Sequence, residues 1–171
     1  MACILSTGIA KGCKTGIGGT KRFLLTNKSN VLTYTEGTEG YLTGITLSAG
    51  THFYEFVTSK FSSSWSDNPL PVANNSGTAY QPTVTMNFAK NESTKRNAVK
   101  LLGQAELVCI VQNADGTYWY LGATNGLELA AGGAYTSGVA ITDANQWTIV
   151  LQGGEPEPAF QIDSAIITAL L

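Results

Sequence analysis

Leu107-Val108-Cys109-Ile110-Val111-Gln112-Asn113-Ala114-Asp115-Gly116-Thr117-Tyr118-Trp119-Tyr120-Leu121 is the stretch that decides the fold. An apolar run rich in β-branched residues meets a short polar turn and is answered by an aromatic run, the pattern of two antiparallel strands joined tightly. Asp115-Gly116 can take the positive φ angles that such a turn requires. The hairpin is expected in the core, with Cys109 acting as a small core hydrophobe. Working outward, short alternating segments recur between turn residues over a chain that holds 19 glycines. Further strands are predicted at 21–27, 31–35, 41–47, 52–61, 83–88, 126–130, 146–152 and 159–162. Within 52–61, Phe53, Val57 and Phe61 share one face and His52, Tyr54 and Phe56 the other, so both faces are expected to be covered.

One helix is predicted, over 92–102. Asn91 or Ser93 would cap its start and Gly103 would sit just past its end. Ala98, Leu101 and Leu102 form its apolar stripe, while Lys95, Arg96 and Lys100 populate the polar side. The expected fold is mainly β: a sandwich or barrel of roughly 8–10 strands with one flanking α-helix. A single domain spans 1–171, with an extended N-terminal segment (1–20) and a long arm-like loop (62–79). That loop, Ser62-Ser63-Ser64-Trp65-Ser66-Asp67-Asn68-Pro69-Leu70-Pro71 and onward, lacks the alternation of a long hairpin. Trp65 and Leu70 are costly to leave in water, so they are candidates for inter-subunit docking.

Composition narrows the function. Charged residues make up only 13% of the chain, against about 25% in a typical domain. Thr, Ser, Gly and Asn take their place, which suits surfaces that become covered on assembly. No apolar run approaches the ~20 residues of a membrane span, and no secretory signal is visible at the start. Cys3, Cys13 and Cys109 have no paired spacing, so they read as reduced thiols in a cytoplasmic compartment and not as a disulfide or zinc framework. The net charge of −2 hides an asymmetry. Residues 1–100 hold ten bases against five acids, whereas 101–171 hold seven acids and no base. That split belongs to a molecule with two electrostatically different faces, and specific nucleic-acid binding is not expected.

Catalytic readings are weak. The single histidine, His52, stands among strand residues with no second histidine to share a metal or build a triad. Gly16-Ile17-Gly18-Gly19-Thr20-Lys21 lacks the spacing of a phosphate loop. Glu155-Pro156-Glu157-Pro158 pairs two acids, yet the prolines hold the run extended, and a solvated loop is the better reading. Asp115, Glu128 and Asp143 lack the regular spacing of a calcium hand. Trp65, Tyr118, Trp119, Tyr120 and Trp147 could form a sugar platform, but such strand aromatics more often belong to a core or an interface. No cofactor and no metal are expected, and the chain is not read as an enzyme.

Several stretches carry a resemblance. Met1-Ala2-Cys3-Ile4-Leu5, Gly12-Cys13-Lys14, Gly18-Gly19-Thr20-Lys21, the run from Leu107 to Gly122, Asn125-Gly126-Leu127-Glu128, Thr136-Ser137-Gly138 with Asp143, and Trp147 through Pro158-Ala159 together resemble small virion proteins of phages that infect Bacteroidetes bacteria. The order of elements also resembles phage tail-tube proteins. The resemblance implies a β-sandwich flanked by a helix that closes laterally into rings, usually hexameric, which stack into a tube through which DNA passes as non-specific cargo. Self-association and contact with other virion proteins, assembly in the host bacterial cytoplasm and residence in the phage tail or neck follow as expectations. Head decoration, head–tail joining and a carbohydrate- or receptor-binding virion module are the alternatives. In the tube reading, Glu128, Glu155, Glu157 and Asp163 are candidates for an acidic lumen or ring face, and Lys11, Lys14, Lys21, Arg22 and Lys28 for an opposing basic face.

Overall fold

The computed structural model describes residues 8, 9, 17–59 and 62–171. In chain order its strands are β1 (Thr20–Asn27), β2 (Val31–Glu36), β3 (Tyr41–Leu47), β4 (Tyr54–Phe56), β5 (Ser64–Pro71) and β6 (Thr78–Ala89). Helix α1 (Ser93–Leu102) follows, then β7 (Leu107–Asn113), β8 (Tyr118–Leu121), β9 (Glu128–Leu129), β10 (Ala134–Thr136), β11 (Gln146–Gln152), β12 (Phe160–Ile162) and helix α2 (Ser164–Leu170). The first sheet has the order β2-β3-β12-β8-β7-β1-β4, and the second β10-β11-β6-β5 with β9 beside β11. The result is a mainly β, two-sheet sandwich with flanking helices, and no barrel closes among the described residues. Twelve strands and two helices are found among the described residues, where eight to ten and one were expected.

The 107–121 hairpin sits at the centre of the first sheet. Cys109 pairs with Leu121, Ile110 with Tyr120 and Val111 with Trp119, while β1 pairs along the other side of β7. Alternate residues of a strand point to opposite faces, so β7 divides its side chains between two cores. Leu107, Cys109 and Val111 join Phe23, Leu25, Val84, Met86, Ile149 and Leu151 between the sheets. Val108 and Ile110 join Leu24, Leu42, Tyr120, Phe160, Ile167 and Leu170 beneath α2. Burying each such side chain contributes ~1.5–3 kcal/mol. The turn differs in detail from expectation: only Gly116 has positive φ, at 90°. Asp115 instead accepts hydrogen bonds at Oδ1 from the Thr117 N–H (2.9 Å) and hydroxyl (2.7 Å).

The expected loop at 62–79 is largely a hairpin. β5 pairs with β6 without a break from Ser64 opposite Thr85 to Pro71 opposite Thr78. Hydropathy hides this strand because one inward position is polar: Trp65 and Asp67 point inward, and Asp67 Oδ2 accepts the Ala159 N–H at 2.8 Å. Pro69 and Pro71 are tolerated because β5 is an edge strand with no ladder to donate to on its free side. β10, likewise unforeseen, is a short exposed edge strand whose Tyr135 pairs with Trp147.

Other expectations shift for similar local reasons. The 52–61 strand shrinks to Tyr54–Phe56, so His52 lies outside it and is exposed, its ring 4.5 Å from that of Tyr54. Phe53 is buried, its N–H donating to the Leu170 carbonyl at 2.8 Å, but Val57 is exposed and Phe61 falls outside the described residues. The N-cap of α1 is Glu92, with neither Asn91 nor Ser93 in that role, and Gly103 keeps a right-handed φ of −74°. Leu102 is buried, whereas Leu101 is 65% exposed. The unexpected helix α2 starts at Asp163, whose Oδ1 accepts the Ala165 N–H at 2.9 Å, and it buries Ile167 and Leu170.

Val108 is fully buried at the centre of the first sheet. Val108→Asp places a carboxylate there without a partner, at a cost of several kcal/mol against a total stability of roughly 5–15 kcal/mol. The variant is expected in the insoluble fraction, which comparison of soluble and pelleted protein after expression measures.

Candidate functional site

The two docking candidates part company. Trp65 is held inside the molecule: its indole N–H donates to Asn113 Oδ1 at 2.8 Å, and its ring centroid lies 5.6 Å from that of Trp119. It ties the base of the β5–β6 hairpin to the β7–β8 turn and is not free to anchor a neighbour. Leu70 is exposed, as is Val72 beyond the end of β5. β11 pairs with β6 only as far as Gln152 opposite Thr83, whereas the β5–β6 pairing continues to Thr78. The outer part of this hairpin is therefore a two-stranded ribbon. At its root, Tyr80 and Glu155 exchange backbone hydrogen bonds of 2.8 and 2.7 Å.

The acidic set is also redistributed. Glu155 is only 6% exposed, so it cannot line a lumen or a solvated loop. Its two carboxylate oxygens accept the backbone N–H groups of Thr124 (2.8 Å) and Asn125 (2.9 Å). The carboxylate thus satisfies two donors in a turn that runs between Gly122 and Gly126, both at positive φ. Asp163 is an N-cap rather than a free surface charge. Glu128 and Glu157 remain exposed. Glu157 shares an open recess of about 350 Å³ with Glu36, Glu39, Trp119 and Gln161.

Of the basic set, the described members Lys21, Arg22 and Lys28 have separate surroundings. Arg22 forms an ion pair with Glu55 at 2.9 Å and donates through Nε to Gln112 at 2.8 Å. Lys28 donates to the Ala123 carbonyl, so it and Glu155 grip the same Ala123–Thr124 peptide group from its two ends. Lys21 is exposed. Lys11 and Lys14 lie outside the described residues.

Two surface features had no counterpart in the sequence reading. An open apolar groove of about 520 Å³ runs between β4 and α1, with Leu25 and Leu107 below and Tyr54, Phe56, Ala98 and Leu101 around it. The β10–β11 loop carries Val139 and Ile141 fully exposed. Two acids organise exposed turns: Asp115 is held below the ordinary carboxylate range chiefly by the Thr117 hydroxyl, and Asp143 by the N–H groups of Ala140 and Val139. These bonds strengthen their turns above the unfolded carboxylate pKa and are lost as the pH falls through the lowered folded value. Burial pushes the Cys109 thiol far up, in keeping with a small core residue. Among the described residues, no group of three His, Cys, Asp or Glu side chains could hold a metal ion. No described helix is long and apolar enough to cross a membrane.

No protein-family model, curated protein or solved structure matches the chain.

Glu155 and Glu157 provide a matched pair of tests. Glu155→Gln exchanges one carboxylate oxygen for an amide that faces a backbone N–H, and it is expected to lower stability by about 1–3 kcal/mol. Glu157→Gln, on the open surface, should stay within about 0.5 kcal/mol of wild type. Urea denaturation of the two variants measures both values.

Proposed function

We propose that this chain is a non-enzymatic structural subunit of a bacteriophage particle that self-assembles into rings of the tail-tube type. The observation that carries the reading is the β5–β6 ribbon. Its outer residues, among them Asn68, Pro69, Leu70, Pro71 and Val72, are exposed, and two-stranded ribbons without a third layer are at best marginally stable in water. Such an arm gains stability when a neighbour covers it. The two-sheet sandwich agrees with the β-sandwich flanked by a helix that the resemblance to tail-tube proteins implies, with a second helix beside it. Low charge and scattered exposed apolar side chains fit a surface destined for burial between subunits.

The charge split is used differently from the two-faced arrangement expected from sequence. Lys28 and Glu155 are spent on one turn and Arg22 on Glu55. The recess with Glu36, Glu39 and Glu157 is one acidic surface that remains, in addition to the exposed Glu106 and Glu128, and in a ring it would serve as a lining to which DNA does not adhere, since basic linings bind phosphate by releasing counterions. A second reading has one observation in its favour. Trp119 beside these carboxylates and Gln161 combines an aromatic surface with polar groups, which suits a sugar ligand of a receptor-binding virion module. Glycan-array binding abolished by Trp119→Ala would favour that alternative.

The ribbon can be shortened without touching its root. Replacing residues 70–79 by Asn-Gly keeps Pro69 opposite Tyr80 and preserves the Trp65–Asn113, Asp67–Ala159 and Tyr80–Glu155 bonds. The shortened chain should fold with an unchanged circular dichroism spectrum, yet show no rings or tubes in negative-stain images where wild type does. Normal assembly by the shortened chain would remove the ribbon from the reading.

A further inference from the structure

Asn125-Gly126 is the chain's only asparagine–glycine pair, and the fold makes use of both residues. Gly126 has φ +80°, and a Cβ there would lie 2.8 Å from Glu106 Cγ, so the position admits only glycine. Asn125 is exposed, yet its polar groups are engaged. Its Nδ2 donates to the Gly154 carbonyl, and its backbone N–H donates to Glu155 Oε1 at 2.9 Å. Close packing holds the next peptide group as well. A Cβ on Gly153 would collide with the Gly126 carbonyl oxygen, and just beyond it Leu127 and Leu107 exchange backbone hydrogen bonds of 2.7 and 2.9 Å.

An asparagine followed by glycine is chemically labile, because no side chain shields the next backbone nitrogen. That nitrogen attacks the side-chain Cγ: the N–Cγ bond forms, the Cγ–Nδ2 bond breaks, and the proton given up by the peptide N–H leaves with the amide nitrogen as ammonia. Water then opens the resulting succinimide at either carbonyl, which leaves aspartate or isoaspartate. Here ring closure requires the carboxamide to leave Gly154 and turn back onto the Gly126 nitrogen. The peptide group must rotate with it, against the contacts of Glu155, Gly153 and the Leu107–Leu127 pair. A turn held at so many points reacts only in the fraction of molecules in which it has opened.

We propose that Asn125 is a site of spontaneous deamidation, and that the clamp formed by Glu155 and Gly154 keeps it unreactive while the turn is closed. Neither product fits the closed turn. Aspartate replaces the donor to the Gly154 carbonyl with a carboxylate oxygen that faces it, beside the buried carboxylate of Glu155. Isoaspartate also lengthens the backbone by a methylene between Thr124 and the Leu107–Leu127 pairing. Conversion is therefore a one-way loss of the clamp, and it follows opening of the turn, not assembly.

Peptide mapping by mass spectrometry, on the full chain incubated at mildly alkaline pH, measures conversion at each asparagine. In urea the reaction should concentrate at Asn125, and in the native protein it should run about tenfold slower or less. Glu155→Gln weakens one grip and should raise the native rate at Asn125 about fivefold or more, with the circular dichroism spectrum still that of folded protein. Lys28→Met, which frees the Ala123 carbonyl at the same turn, should raise it too and serves as the second variant. Ile167→Val loosens the core beneath α2 and should leave the rate unchanged, which separates local opening from global unfolding. Equal rates in native and urea-unfolded wild type overturn the protection. A rate that neither turn variant changes, or that Ile167→Val raises as much, overturns the clamp, and conversion concentrated at another asparagine in urea overturns the site.

Discussion

Strands β1 and β7 are buried on both faces, and the rest of the molecule follows from the need to cover them. Phe23 and Leu25 point one way and Leu24 the other, while Cys109 and Val111 oppose Val108 and Ile110. A second sheet covers one side, and α2 with Phe53 covers part of the other. Backbone groups between two dry layers have only each other for partners, so the ladder of β1 and β7 must be complete. That constraint fixes register across the first sheet, because a slip of one residue would exchange the two cores.

Where the apolar pattern breaks, charged and polar side chains take over the joinery. Glu155 fastens the turn that follows β8, Asp67 fastens the approach to β12, and the Trp65–Asn113 bond fastens β5 to the central hairpin. Each joins segments far apart in sequence. A hydrogen bond to a charged acceptor inside the protein is stronger than its neutral counterpart, so a chain with few charged residues can still spend several on its architecture. The surface left over is correspondingly poor in charge.

That poverty bears on assembly. The exposed groove, the 137–143 loop and the β5–β6 ribbon are three separate uncovered surfaces on one small domain. In the proposed ring these are the surfaces that neighbouring copies would cover, with the acidic recess near Trp119 left open.

The sequence by itself determined the β class, the central hairpin, the full extent of the strands at 41–47 and 146–152, and the presence of α1. These elements were legible because their hydropathy period or turn chemistry is local. α2 carried a local signal too, Asp163 ahead of Ile166, Ile167 and Leu170 at helical spacing, which the acidity of Asp163 led away from. Only tertiary structure decided the rest. β5 is a strand because β6 lies beside it, despite two prolines and a polar inward residue. Glu155 is buried because two N–H groups 30 and 31 residues away need an acceptor. The groove is likewise made of residues from distant segments, Leu25, Tyr54 and Leu101. Burial, pairing and satisfaction of a charge depend on neighbours that the chain brings together only by folding, and a reading along the sequence sees each residue without them.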